Sequence, residues 1–126
     1  MDTLNLWSLA DMCIPNFIGV YPLDKIPTYL KPPSNFIVNT HTKNLPGEHW
    51  VAVSYQKDGR VYAFDSFGHY YPSMLKKRLL RLSRTAPVWY NKIQYQESDE
   101  NTCGHYCLAW LIDMSKLLPS VRCYYD

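Results

Sequence analysis

The stretch "QYQESDENTCGHYCLAWLI" (residues 94–112) decides the fold, because a polar, acidic run changes abruptly there into an apolar segment. The apolar pattern continues over residues 103–118 and stops before Pro119, a residue type that ends helices. Apolar side chains occur on nearly all sides of this segment, which is typical of a central, buried helix. The stretch therefore predicts a buried helix that begins at Cys103, directly after a solvated loop.

Hydrophobic periodicity predicts the other elements of the chain. Helices are expected over residues 3–13 and 73–84, and strands over residues 35–40, 49–55, 60–67 and 88–95. Residues 15–34 contain five prolines and are expected to form extended, irregular chain. This order predicts an α+β fold in which a small, mostly antiparallel sheet packs against the apolar helix. The length of 126 residues suits a single domain over residues 1–126.

The second predicted helix, residues 73–84, is amphipathic and strongly basic. Ser73 is its expected N-cap, and Met74, Leu75, Leu79 and Leu82 are expected to share its apolar side. The opposite side carries the cations Lys76, Lys77, Arg78, Arg81 and Arg84. Two interpretations stay open, an ordinary solvated helix face and a track for phosphate groups.

Composition and cysteine usage exclude several classes of protein. No apolar run approaches the length of a membrane span, and the N-terminus carries no secretory signal pattern. The four cysteines are therefore expected to be reduced thiols rather than a disulfide framework. We predict a monomer in the nucleus or cytoplasm, with no membrane partner.

The thiol at the start of the apolar helix is a candidate nucleophile. Asn101 or Thr102 can cap this helix, which puts Cys103 in the first turn, where the partial positive charge favours a thiolate. The same N–H groups can stabilise an oxyanion on a carbonyl that the sulfur attacks. Cys107 lies one turn further and is expected to point into the core. The alternative for Cys103 is an inert, buried cysteine.

A nucleophilic cysteine needs a base and a group that orients the base. A turn at residues 56–59 predicts that His49 pairs opposite Ser66, with Asp65 in the next position. The imidazole and the carboxylate are then expected at the same edge of the sheet, where Asp65 can set the ring tautomer. The alternative is a simple surface hydrogen bond between His49 and Asp65.

The order His, Asp, Cys along the chain carries a family resemblance. The string "GEHWVAVSYQKDGRVYAFDSFG" (47–68), followed by a glutamine seven residues before "CGHYC", resembles the adenovirus-type cysteine proteases, the adenains. The segments "FIGVYPLDKIP" (17–27) and "FIVNT" (36–40) look similar too, so the resemblance covers roughly residues 13–112. SUMO-type proteases share the same arrangement, so the wider clan is implied as well.

The resemblance implies a role for each matching residue. Cys103 looks like the nucleophile, His49 like the general base, and Gln96 like a side-chain donor of the oxyanion hole. Asp65 takes the orienting place, where the adenains carry a glutamate. Trp50 resembles the aromatic residue beside the catalytic ring, or else is plain core packing. The implied activity is a cysteine endopeptidase acting on viral or virus-like capsid or core precursors, with no metal or cofactor needed for its chemistry. The implied location is the nucleus or cytoplasm of a host cell, and the virion.

The resemblance also raises two kinds of activator. Adenains use DNA as a cofactor, so the basic helix is a candidate for non-specific DNA contact. They are also activated by a peptide joined through a disulfide, but no cysteine lies between Asp65 and Gln96, so this covalent route is not expected.

Three rival interpretations remain open from the sequence. The first is a ubiquitin-like-modifier isopeptidase of the SUMO-protease kind. The second is a non-catalytic, capsid-associated binding protein on the same fold. The third is a zinc module built from Cys103, His105, Cys107 and Cys123, although its spacing is not that of the usual zinc knuckle.

Overall fold

The computed structural model describes residues 3–40, 49–68, 71–84, 87–92 and 103–115, apart from the side chains of Thr3 and Cys103. Three α-helices lie in this part of the chain, α1 (Thr3–Cys13), α2 (Ser73–Ser83) and α3 (Cys103–Ser115). Its strands are β1 (Phe17–Pro22), β2 (Ser34–Asn39), β3 (Trp50–Tyr55), β4 (Val61–Phe64) and β5 (Val88–Tyr90), and a short 3-10 helix follows β1 (Leu23–Lys25).

The five strands form one mixed sheet in the order β1-β2-β3-β4-β5. The two central pairings, β2 with β3 and β3 with β4, are antiparallel, as the hairpin pattern predicts. The two edge pairings, β1 with β2 and β4 with β5, are parallel. A parallel pairing needs a crossover connection, and α2 lies in the connection between β4 and β5. The predicted α+β class is confirmed, with antiparallel character confined to the centre of the sheet.

Strand β1 is an element that the sequence did not predict, because residues 15–34 were expected to be irregular. Its pairing with β2 supplies the hydrogen bonds that make this proline-rich segment a strand, and Pro22 is tolerated at the end of an edge strand. Gly19 has φ of 148° at an irregularity in the register. A Cβ atom there would lie 2.8 Å from Cζ2 of Trp7, so both the backbone and the space require glycine.

Helices cover both faces of the sheet. Helices α1 and α3 pack on one face, in a core that includes Leu6, Ala10, Trp50, Ala52, Phe64, Cys107 and Leu111. Helix α2 packs on the other face, in a core that includes Phe36, Val51, Val53, Ala63, Leu75, Leu79 and Leu82. Alternate residues of β3 serve the two cores, so all six of its residues are buried. Strand β3 is therefore packed on both faces of the sheet, and the candidate site lies at its start.

Helix α3 is less deeply buried than its composition predicts. Cys107, Leu111 and Met114 are buried, but His105, Ala109 and Asp113 form an exposed line at helical spacing. Among the described residues, β3 and α1 contact the other sides of α3, and this line of side chains stays exposed. The predicted last turn, residues 116–118, lies outside the described residues.

The start of α2 also differs from the prediction. Pro72 occupies the N-cap position, makes no side-chain capping bond, and its carbonyl accepts the N–H of Lys76 at 3.1 Å. Ser73 is therefore the first helical residue rather than the cap. The apolar side predicted from the sequence is buried at Leu75, Leu79 and Leu82, but Met74 is exposed.

Candidate active site

The β3–β4 hairpin sets the geometry of the site. Tyr55 pairs with Val61, and Ala52 pairs with Phe64. The turn is closed by the N–H of Gln56, which donates to the carbonyl of Arg60 at 2.9 Å. The connecting loop thus has three residues, 57–59, and the last of them is a glycine with φ of 87°. Such loops characteristically end in a left-handed glycine, and the predicted four-residue loop is wrong by one residue.

This one-residue difference decides which side chains meet. Extending the observed register sets His49 opposite Phe67 instead of Ser66. Asp65 lies two positions from Phe67 and therefore on the same side of the ladder as His49. In the predicted register Asp65 would lie on the other side. The observed contacts agree, because the rings of His49 and Phe67 are 4.9 Å apart between centroids.

His49 and Asp65 form a buried polar pair. Nε2 of His49 lies 2.7 Å from Oδ1 of Asp65, and their side chains are 7% and 0% exposed. A carboxylate accepts only, so Nε2 carries the proton of this hydrogen bond. Nδ1 is then the ring nitrogen on the other side of the imidazole. His49 and Asp65 are therefore in direct hydrogen-bond contact.

The chain turns sharply at Asp65, and the turn fixes the carboxylate. The backbone N–H of Phe67 donates to Oδ1 of Asp65 at 3.1 Å, and the N–H of Gly68 donates to the carbonyl of Asp65 at 2.8 Å. Asp is favoured at the first position of such a turn because its side chain can accept an N–H two residues later. Gly68 supplies the positive φ of 80° that completes it. The "DSFG" motif therefore forms the turn that holds the Asp65 carboxylate in place.

Two residues that the sequence analysis missed hold the backbone of Asp65. Oδ1 of Asn91 accepts the N–H of Asp65 at 2.8 Å, and Nδ2 of Asn91 donates to the carbonyl of Asp65 at 2.7 Å. The hydroxyl of Tyr71 accepts the same N–H at 3.1 Å and contacts Oδ1 of Asn91. The only signal in the sequence was a polar residue after the apolar run "VWY", and Asn91 is indeed buried.

The Tyr71 hydroxyl is buried close to the charge of Asp65. Burial, and then the negative charge of Asp65, raise the pKa of the Tyr71 hydroxyl far above its ordinary value. Tyr71 therefore keeps its proton over the pH range in which proteins function. With that proton it donates to the amide oxygen of Asn91 while its own oxygen accepts the N–H of Asp65.

Helix α3 runs beside β3 in the same direction. Near its start, the thiol of Cys107 is buried in the core and lies 3.3 Å from the carbonyl oxygen of Trp50, the first residue of β3. Near its end, Ser115 lines a pocket together with Gln56, which follows β3. The expected core position of Cys107 is thus confirmed.

Cys103 is the first residue of α3 and lies four residues before Cys107. A helix rises about 1.5 Å per residue, so the Cys103 backbone is about 6 Å further along the helix axis. That direction leads away from the pocket end and toward the start of β3, which His49 precedes. The Cys103 side chain lies outside the described residues, as do the capping candidates Asn101 and Thr102 and the oxyanion candidate Gln96.

The cations of α2 lie on the face of the sheet opposite to α3. Four of them are exposed, Lys76, Lys77, Arg81 and Arg84, and Arg78 is partly buried. Nζ of Lys76 lies 5.8 Å from the ring centroid of Tyr90, and the Arg84 guanidinium lies 5.6 Å from that of Tyr29. Both contacts are of the cation–π kind.

A metal centre and a membrane span are both absent from the described ranges. No group of three or more His, Cys, Asp or Glu residues there has the arrangement to hold a metal ion. Nor does any helix in those ranges have the length and apolarity to cross a membrane. Cys123, one ligand of the zinc alternative, lies outside them.

The fold, the buried His–Asp pair and the helix that begins with cysteine form an arrangement similar to that of known proteases. The chain is 30% identical over 115 residues to a protease of Bovine adenovirus C serotype 10, covering 79% of this chain and 58% of that protein. It is 27% identical over 131 aligned positions to a protease of Porcine adenovirus A serotype 3, covering 90% and 63%.

The solved structure of the ASFV pS273R protease has a similar fold, with a TM-score of 0.52 at 21% identity. It matches 70% of this chain and 37% of that one. No protein-family model matches the chain. The resemblance to adenovirus-type proteases is confirmed, and the chain is related to them in sequence. It spans only about three fifths of the length of the two adenovirus relatives.

Proposed function

We propose that this chain is a cysteine endopeptidase that cleaves viral precursor proteins, with Cys103 as nucleophile, His49 as base, Asp65 as orienting acid and Gln96 in the oxyanion hole. The observation that carries the proposal is the buried contact of 2.7 Å between Nε2 of His49 and Oδ1 of Asp65. Helix α3 begins at Cys103, and its N-terminal end is directed toward the same edge of the sheet. The adenovirus relatives, each described as a protease, support the same reaction class.

The hydrogen bond to Asp65 defines how His49 would work. Because Nε2 holds its proton toward Oδ1, Nδ1 is the nitrogen that takes the proton of the Cys103 thiol. The sulfur then attacks the scissile carbonyl, and the imidazolium gives its proton to the leaving amine as the C–N bond breaks. Water hydrolyses the thioester by the reverse proton path, and the free thiol returns.

The start of α3 would supply the electrostatic part of the reaction. The unpaired N–H groups of a helix N-terminus favour both a thiolate and an oxyanion. Gly104 is buried and has no side chain to obstruct the approach of a substrate carbonyl to the sulfur of Cys103. The seven-residue spacing of Gln96 before Cys103 supports its role as the side-chain donor to the oxyanion.

The acid in this chain is shorter than the glutamate that the resemblance leads one to expect. Asp65 nevertheless reaches His49 at hydrogen-bond distance. The difference between the two acids therefore does not weaken the proposed role.

Cleavage of peptides tests the proposal. Peptides with small residues around the scissile bond, and fluorogenic ubiquitin and SUMO substrates, are incubated with the wild type, His49→Ala and Cys103→Ser. Hydrolysis of the peptides alone, lost in both variants, is the expected result. Preference for a modifier substrate would favour the isopeptidase alternative, and no hydrolysis of any substrate would favour a non-catalytic binding protein.

We also propose that α2 makes weak, non-specific contacts with DNA. The support is the solvent exposure of its cations and the absence of any acidic residue from 66 to 96. We define the α2 basic face as Lys77 and Arg81, which helical spacing puts on one side, together with the exposed Arg84 at the C-cap of the helix. Contact with phosphates there would be electrostatic, independent of sequence and sensitive to salt.

A further inference from the structure

A single side-chain amide holds both polar groups of the Asp65 backbone. Strands β4 and β5 pair as far as Ala63 and Tyr90, and Asn91 is the next residue after this pairing. Its Oδ1 accepts the N–H of Asp65 at 2.8 Å, and its Nδ2 donates to the carbonyl of Asp65 at 2.7 Å. The amide thus extends the pairing of β4 with β5 and fixes the two peptide planes on either side of Asp65.

The Tyr71 hydroxyl determines how that amide is oriented. It contacts Oδ1 of Asn91, and it accepts the N–H of Asp65 at 3.1 Å. Its ring packs at 4.6 Å and 59° against the ring of Tyr90, which limits its movement. The N–H of Asp65 and the O–H of Tyr71 both require an acceptor, so Asn91 must present its oxygen and not its NH₂ group to them.

A single methylene group separates the carboxylate of Asp65 from the backbone that these residues hold. Its Oδ1 lies 2.7 Å from Nε2 of His49, a distance at which a displacement of a few tenths of an ångström matters. A mere structural cap at the end of a strand would stabilise the fold without affecting this distance. The location of Asn91 and Tyr71, on the very residue that contacts His49, distinguishes them from ordinary buried polar groups.

We propose that Asn91 and Tyr71 are positioning residues, which keep the Asp65 carboxylate where it orients the imidazole of His49. The inference rests on the proposed function, because it assigns them a role in the same site. Neither residue touches the sulfur or the scissile bond in this scheme. Their effect on the reaction passes through Asp65 and His49.

Asn35 offers a matched control for Asn91. It is also a buried asparagine, and its Nδ2 donates to the backbone carbonyl of Pro15 at 2.9 Å. It lies on β2, away from the Asp65 turn. Replacing Asn35 by alanine removes one buried side-chain to main-chain bond, where Asn91→Ala removes two, so it measures the structural cost of losing such a bond away from the site.

The experiment compares Asn91→Ala, Tyr71→Phe, Asn35→Ala and His49→Ala with the wild type. It measures thermal unfolding, kcat and KM on a cleaved peptide, and the pH dependence of Cys103 alkylation by iodoacetamide. We expect Asn91→Ala to lower kcat by about tenfold to 100-fold at unchanged KM, because misplaced catalytic groups are costly. Its alkylation profile should move to higher pH, since a poorly oriented imidazolium stabilises the thiolate less.

The two controls separate positioning from folding. Tyr71→Phe keeps the ring and should produce the same changes with smaller amplitude, and it decides the question if Asn91→Ala does not fold. Asn35→Ala should lower the unfolding temperature but keep the wild-type kcat and alkylation profile. If Asn91→Ala or, failing that, Tyr71→Phe only loses stability, as Asn35→Ala does, the positioning role is overturned. If wild-type alkylation is already independent of His49, the proposed function fails instead.

Discussion

The substitution Asp65→Asn tests the His49–Asp65 pair most directly. The asparagine has the same shape, and its Oδ1 can still accept the N–H of Phe67 that the aspartate accepts at 3.1 Å. What it lacks is the negative charge next to Nε2 of His49. The imidazolium that forms when Cys103 loses its proton would then lack the negative charge of Asp65 at Nε2, in a buried site where solvent compensates little.

The expected loss follows from the geometry. Charge centres about 4 Å apart attract by about 4 kcal/mol at an effective dielectric constant near 20, which is an upper figure for this pair. The difference between a charge-assisted and a neutral hydrogen bond, about 1 to 2 kcal/mol, is a lower figure. Because Asp65 is fully buried, solvent screens the pair little. We therefore expect kcat to fall by about tenfold to 1,000-fold.

The assay is steady-state hydrolysis of a cleaved peptide by wild type and Asp65→Asn, with circular dichroism and thermal unfolding as checks of the fold. Asp58→Asn is the matched control, because it makes the same change on the same hairpin. There Oδ2 of Asp58 lies 3.8 Å from Nε of Arg60 and both side chains are well exposed, so almost no effect is expected. A folded Asp65→Asn with kcat within twofold of wild type would refute the role of the charge.

Three further predictions address the thiol, the fold and the basic helix. At pH 6 Cys103 should react with iodoacetamide about 100-fold faster than an ordinary thiol, and His49→Ala should remove this difference in rate. Equal rates at Cys103 and Cys107, both independent of His49, would contradict the prediction. Gly19→Ala should lower the free energy of unfolding, measured in urea, by about 2 kcal/mol or more because the added Cβ would meet the Trp7 ring. Gly59→Ala is the control and should lower it less, because Gly59 also has a positive φ but no atom lies within 4 Å of its added Cβ. Equal losses would show that packing at Gly19 is unimportant. Neutralising the α2 basic face should lower the salt concentration that elutes the protein from DNA, and unchanged elution would remove the DNA proposal. The charge-matched control neutralises three exposed lysines elsewhere, Lys25, Lys31 and Lys57.

Several sequence-based predictions concern properties that the described residues do not test. The single domain over residues 1–126, the monomeric state, the nuclear, cytoplasmic or virion location and the lack of a covalent activating peptide all stay predictions. The same is true of the role of Gln96.

Local patterns in the sequence determined much of the fold. The α1 helix has the predicted bounds, Thr3–Cys13, and α3 begins at Cys103 as expected. The alternating, β-branched strands of the hairpin and the "DG" turn between them also carried their own structural information. Periodicity works in these segments because burial of one face repeats every few residues along the same stretch of chain.

Residues distant in sequence decided the rest. Strand β1 exists because β2 pairs with it, and the hairpin register depends on a loop that is one residue shorter than its composition suggested. That register is what puts His49 and Asp65 on one side of the ladder, and Asn91 then holds Asp65 from 26 residues away. The physical reason is that a buried polar group must find a partner wherever the folded chain supplies one, and a local pattern carries no record of that partner.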